Sequence, residues 1–213
     1  QTKNLNDFSQ WWKLQKEVNW KHPYGKESTI DTILDHPVIH VSWDDAVAYC
    51  NWKGRRLPTE AEYEYAMRSG NSNTIYTWGN EPVGTGTQKA NIWQGNFPSN
   101  NISSDEFYYT SPVKSFEKND FGLYDISGNV WEWCSDLYHS DYYSTISNML
   151  ANNPKGPIKS YDPNDPFSSK RVMRGGSFLC NDSYCSGFRN SMRMKSTPDS
   201  SSQHVGFRTV LDI

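Results

Sequence analysis

The sequence predicts a single loop-rich domain in which two short helices and several short strands pack through aromatic side chains. Three observations carry that expectation. Two capped segments stand back to back between Ser42 and Gly70. Beyond Gly70 the chain is broken every few residues by Gly, Pro, Asn, Asp or Ser, the residues that form turns and end strands. Nine Trp, 13 Tyr and nine Phe stand in 213 residues whose apolar content is only 35%. Large rings with polar edges therefore replace much of the usual aliphatic core. A chain of this length can enclose one sizeable core, and no linker, charge block or repeat divides it, so residues 1–213 are read as one domain.

Residues 1–35 show no sustained period and are read as mostly loop. Pro37–Val41 is a short β-rich run. Ser42, with Asp45 three residues on, opens a helix over Trp43–Lys53 that Gly54 ends, and Ala46, Tyr49 and Cys50 share one of its faces. Thr59 and Glu62 form a capping box for a second helix, Glu60–Arg68, stopped by Gly70. Short β-like pieces follow at Thr74–Trp78, Ser111–Phe116, Val130–Trp133, Arg171–Arg174 and His204–Val210. Residues 144–170 carry many Pro, Asn and Ser and read as a long exposed excursion.

Net charge is −3, with Lys and Arg scattered rather than gathered in the basic stripe that nucleic-acid binding requires. No apolar run reaches the length of a membrane span. The chain begins at Gln1 without a signal-peptide pattern, which suggests a removed leader or a fragment.

Chemistry concentrates near the C-terminus. Cys180 and Cys185 follow a glycine pair and lie near Arg174, Arg189 and Arg193 in sequence. Their spacing leaves open a dithiolate site for a soft ion such as Cu(I), an ordinary disulfide, or two buried thiols, and by itself it favours the plainer readings. A tetrahedral zinc site would need a second ligand pair, and none stands at close spacing. Oxygen donors in Asn91–Asn96 and Asp105–Phe107 suit either a hard cation or simple turns. So do Asp125 and Glu132, which could bracket the Gly128 and Val130 carbonyls. His36 and His40 read as structural, Cys50 and Cys134 as buried thiols, and His204 as a wall of the cysteine site.

Taken in order, several segments resemble one family. They are His36-Pro37-Val38-Ile39-His40-Val41-Ser42-Trp43-Asp44-Asp45-Ala46, Arg56-Leu57-Pro58-Thr59-Glu60-Ala61-Glu62-Tyr63-Glu64-Tyr65, Trp78-Gly79-Asn80, Ala90-Asn91-Ile92-Trp93-Gln94-Gly95 and Gly122-Leu123-Tyr124-Asp125. Gly128-Asn129-Val130-Trp131-Glu132-Trp133, Arg174-Gly175-Gly176-Ser177, Thr197-Pro198-Asp199-Ser200-Ser201 and Gly206-Phe207-Arg208 complete the pattern. This resembles the formylglycine-generating enzymes, the sulfatase-modifying factors, from about Trp11 onward.

The resemblance implies a loop-rich α+β fold related to the C-type lectin fold. It implies an oxidase that uses O2 and copper to convert a cysteine in a Cys-X-Pro-X-Arg segment of an unfolded sulfatase into formylglycine. Cys180 and Cys185 match the copper pair, while Ser177, Trp131 and His204 match the oxygen pocket. Calcium is implied at Asn91, Ile92, Asp105 and Phe107, and again at Asp125, Gly128, Val130 and Glu132, with Ile92, Phe107, Gly128 and Val130 giving carbonyls. Three departures stand out: Met67 replaces a cysteine partner of Cys50, Asn181 replaces a histidine, and His204 replaces an asparagine. The chain also lacks the family's N-terminal portion. A monomer in a secretory, periplasmic or luminal compartment is expected, without nucleic acid. A non-catalytic binding or structural member is the alternative. A sulfoxide-forming iron oxygenase would need a histidine cluster that the sequence does not contain.

Overall fold

In the computed structural model, which describes residues 7–212, Ser42 opens helix α1 (Trp43–Trp52). Its hydroxyl accepts from the Asp45 backbone N–H while the Asp45 carboxylate accepts from the Ser42 N–H. The turn ends through Lys53 and Gly54. Helix α2 (Glu60–Arg68) repeats the device with Thr59 and Glu62 and ends at Ser69, which adopts a left-handed φ of 49°. Each such cap contributes about 1 kcal/mol, enough to place both boundaries.

The remaining elements are sparse. A two-stranded hairpin pairs β1 (Gly95–Asn96) with β2 (Asn100–Asn101). Strand β3 (Trp131–Leu137) leads to a short helix α3 (Tyr142–Ile146), then β4 (Arg171–Arg174), β5 (Met194–Ser196) and β6 (Val205–Gly206). The four-stranded sheet has the order β5-β4-β3-β6, with β6 parallel to β3 and the other pairs antiparallel. Central strands split their side chains between two clusters, as the two-residue period requires. Trp131, Trp133 and Met173 join Ala46, Cys50, Leu57 and Phe188. Cys134 and Val172 join Tyr63, Met67 and Ile126. Met67 is fully buried and Cys50 is a free thiol, so no disulfide links α1 to α2, and the two residues sit in different clusters.

A buried ion network ties α2 to the sheet. Arg174, wholly buried, donates to Glu60 at 3.0 Å, to Glu64 at 2.7 Å and to the Asn190 carbonyl. Arg193 adds a fork to Glu60 at 2.6 and 2.8 Å.

Several expected strands are corrected. Pro37–Val41 and Ser111–Phe116 are not strands. Ile39 and Val41 are buried, but His40 between them has φ 56°, which breaks the extended run. Thr74–Trp78 shrinks to bridges from Tyr76 to Gly79 and Arg189. His204–Val210 keeps only β6 and a bridge from Val210 to Arg56, whereas Val130–Trp133 is part of a longer strand. Tyr49 is half exposed against Trp52 and Phe207 rather than sharing the buried face of Ala46 and Cys50. The 144–170 excursion overlaps the end of α3 and is anchored by Asp162, buried and paired with Lys170 at 2.6 Å. Among the described residues no helix is long and apolar enough to cross a membrane.

Candidate functional site

Strand β4 delivers Arg174 to the core and then turns sharply at Gly175 and Gly176. A Cβ on Gly176 would stand 2.6 Å from the Phe188 nitrogen, at a φ of +78°, so only glycine fits. The turn presents Ser177, fully buried. The loop that follows is organised by Asn181, whose backbone oxygen accepts from Cys185 and Ser186. Its side-chain oxygen accepts from Ser183 and Tyr184, and its amide donates to the Gly95 carbonyl at 3.1 Å. The Trp93 N–H donates to the Cys180 carbonyl at 2.9 Å.

This scaffold brings Cys180 and Cys185 together with their Cα atoms 5.3 Å apart, and the structure joins them as a disulfide. Of the states that the spacing leaves open, the structure shows the disulfide, and the thiol pair is reached by two-electron reduction of this bond. Cys180 is buried and Cys185 is partly exposed. Ser177 Oγ lies 3.9 Å from Cys180 Sγ and 3.0 Å from His204 Nδ1. The Trp131 N–H donates to the His204 carbonyl at 2.8 Å. Gly187 is the point where the Trp131 ring and Cys180 Sγ converge, 2.5 and 2.8 Å from where a Cβ would stand. All five residues expected at the catalytic centre are thus neighbours.

Sequence reasoning missed the aromatic frame. Trp12 stacks on the His204 ring with centroids 5.2 Å apart. Trp11 packs on Phe97 and Tyr184, which stack on each other at 4.5 Å. A cavity of about 190 Å³ opens beside this frame, lined in part by Trp12, Trp131, Trp133, Met194, Ser202 and His204. The Trp11-Trp12 doublet was visible in the sequence, but nothing local linked it to residues almost two hundred positions away.

Burial, and then the nearby His40 ring, push the His204 imidazole down to about 4. His204 therefore stays neutral at physiological pH and keeps its bond to Ser177. Between its unfolded value of about 6.5 and that folded value, the unfolded chain takes up the proton first. His204's contribution to stability is present above the unfolded value and falls as pH drops through this window. In metal-free protein its ring should titrate with a midpoint near 4 by proton NMR; a midpoint at the ordinary value would refute the buried neutral imidazole.

The two proposed calcium sets fare differently. In the first, Asn91 Oδ1 is buried without a partner, and the Gln94 amide nitrogen sits on both the Ile92 carbonyl and Asp105 Oδ2. Burial raises the Asp105 carboxyl. An unpartnered amide oxygen, a carboxylate and a carbonyl are the donor types that a hard cation takes. In the second, Asp125 Oδ1 is also buried and unpartnered, but both Glu132 oxygens are taken by Arg208, at 2.5 and 2.8 Å. Arg208 also reaches the Tyr124 and Asp125 carbonyls. A guanidinium thus faces Glu132, while Asp125 keeps one buried oxygen without a partner. Among the described residues no three His, Cys, Asp or Glu side chains gather around one point. The sulfur pair, once reduced, fits a two-coordinate soft ion.

Fold and site together define a loop-rich α+β domain, related to the C-type lectin fold, that presents a cysteine pair beside a serine–histidine hydrogen bond. The chain belongs to the family described as the Sulfatase-modifying factor enzyme 1-like domain, whose model matches residues 2–213. It is 48% identical over 204 residues to the formylglycine-generating enzyme of Bos taurus, covering 95% of this chain and 51% of that protein. It is 39% identical over 210 residues to the inactive C-alpha-formylglycine-generating enzyme 2 of Mus musculus, covering 96% of this chain and 58% of that one. The chain thus spans about half the length of the curated relatives it matches. Among solved structures, PvdO from Pseudomonas aeruginosa superposes with a TM-score of 0.61 at 27% identity, covering 82% of this chain and 61% of that one.

Proposed function

We propose that this chain is the catalytic domain of a formylglycine-generating oxidase. It acts on the cysteine of a Cys-X-Pro-X-Arg segment in an unfolded sulfatase, with O2 as acceptor and copper(I) held by Cys180 and Cys185. The observation that carries this reading is the sulfur pair itself: two adjacent sulfurs, one buried and one partly exposed, beside the Ser177–His204 bond. A calcium ion at Asn91, Ile92, Asp105 and Phe107 stiffens the loops, and the protein works as a monomer in a secretory, periplasmic or luminal compartment.

Each side chain has a defined task. An external thiol reductant supplies the two electrons that open the disulfide, leaving two thiolates that would be soft ligands. It also supplies the two more electrons that balance the reaction of the substrate thiol with O2 to aldehyde, hydrogen sulfide and water. Bound copper supplies one-electron chemistry with O2 that no side chain provides. Partly exposed Cys185 faces the incoming polypeptide, so the substrate thiol is held beside it and its Cβ hydrogens are oriented for reaction. Neutral His204 fixes the Ser177 hydroxyl, which stays near Cys180 Sγ. Trp12 and Trp131 exclude water from that corner. His204→Asn retains a neutral partner for Ser177 and should keep most activity. His204→Ala should lose about tenfold, the equivalent of one hydrogen bond.

The deciding experiment incubates full-length protein with a Cys-X-Pro-X-Arg peptide, O2 and a thiol reductant, with and without Cu(I), and measures aldehyde by mass and hydrazide capture. Aldehyde formation only with copper is expected. A copper-loaded protein that forms none would instead favour the non-catalytic reading, which draws support from the closed disulfide and from the relative named inactive.

A further inference from the structure

The segment between the two cysteines is closed by a single carbonyl. The Asn181 backbone oxygen accepts from the N–H groups of Tyr184, Cys185 and Ser186 in succession, at 3.3, 3.2 and 2.9 Å. Its side-chain oxygen accepts from the Tyr184 N–H at 2.9 Å and from the Ser183 hydroxyl at 3.1 Å. A side-chain oxygen on the third N–H ahead is the geometry of an N-cap, a position at which asparagine ranks among the best residues. Ser186 ends the turn with a left-handed φ of 45°, the usual way for such a turn to stop. Asn181 is only 7% exposed, so water competes little for these bonds.

The same side chain ties the turn to the segment beside it. Its amide donates to the Gly95 carbonyl at 3.1 Å, and the Trp93 N–H donates to the Cys180 carbonyl at 2.9 Å. The Cys180 N–H donates to the Ser177 carbonyl, also at 2.9 Å. Cys180 is thus fixed on one side and Cys185 on the other, by bonds that involve no sulfur. The disulfide spans a gap that the bond from the Cys185 N–H to Asn181 already closes. Breaking the S–S bond removes none of these contacts. Asparagine serves both ends of the network: aspartate has the oxygen but no donor, and serine has the oxygen without the reach.

We propose that Asn181 is a positioning residue that keeps the two sulfurs together in the reduced protein, so that the loop stays closed when the disulfide is opened. A pair held in this way has a high effective concentration and gives up little further order when it is joined again. Its use in the reaction rests on the oxidase reading above, whereas the thiol chemistry that tests it does not. Metal-free full-length protein is equilibrated with reduced and oxidised glutathione, free thiols are trapped with a maleimide, and the products are read by mass. One S–S bond breaks in the protein as one forms in glutathione disulfide, and two glutathione thiols supply the electrons and protons. Asn181→Ala should lower the equilibrium constant for the protein disulfide about tenfold, which raises its midpoint by about 30 mV. Asn181→Ser keeps a capping oxygen and should stay within about threefold of the unmodified protein. In the reduced, unsubstituted protein the Cys185 and Ser186 amides should remain protected from hydrogen exchange. Loss of that protection on reduction would overturn the assignment, and this measurement decides the matter if Asn181→Ala does not fold. So would an Asn181→Ala protein that melts earlier but keeps its thiol equilibrium, since Asn181 would then serve the fold alone. If the thiol results hold but copper-loaded protein forms no aldehyde, the oxidase reading fails and the positioning of the sulfurs stands.

Discussion

Replacing Cys185 with serine is expected to abolish aldehyde formation, by at least about a thousandfold, while leaving the domain folded. A serine hydroxyl is a poor soft-metal ligand, so one substitution would remove half of the proposed copper donor set. The structural cost should be small because Cys185 is partly exposed. What is lost is the cross-link over a sequence separation of five, which in the chain-entropy account is about 2 kcal/mol. Cys180→Ser should be equally inactive but less stable, since it places a hydroxyl in the apolar cluster of Trp131 and Phe188. Copper retention after desalting, melting temperature and aldehyde yield separate these effects. An active Cys185→Ser protein would remove the basis of the dithiolate reading.

The helices were legible because their boundaries are local. Ser42 and Asp45, and Thr59 and Glu62, satisfy the backbone within one turn, so three or four residues settle each start. The strands were less so. His40 and its apolar neighbours alternate like a strand, yet the His40 N–H bonds to Ser202 and its φ is left-handed. A contact across 162 positions has no local signal. The centre shows the same division. Cys180, Cys185 and Ser177 lie within nine residues and share one turn-rich segment, so motif and resemblance found them together. Trp11, Trp12 and Phe97 acquire their roles only when the chain folds back over that segment. The pairing of Glu132 with Arg208, 76 residues on, has no local signal in the sequence either.

Glu60→Gln is expected to destabilise the protein by about 3–5 kcal/mol, the usual cost of stripping one partner from a buried ion pair. Glu60 is 1% exposed and holds two guanidinium groups, those of Arg174 and Arg193. Losing its charge leaves Arg174 with Glu64 as its only carboxylate partner. Arg174→Met should cost a similar amount, for it leaves Glu60 paired only with Arg193. The double variant should recover part of the sum, because it removes the Arg174 charge that Glu60→Gln leaves under-compensated, while the loss of the Arg193–Glu60 pair persists. Denaturant titration checks all three, and a loss below about 1 kcal/mol in Glu60→Gln would show the network to be dispensable. The consequence reaches the sulfur site through the chain itself. Arg174 immediately precedes the Gly175-Gly176 turn that carries Ser177 toward His204 and Cys180. Slackening this anchor should therefore lengthen the Ser177–His204 bond and lower oxidation before global unfolding begins, so activity should fall at temperatures where the circular dichroism of Glu60→Gln is still native.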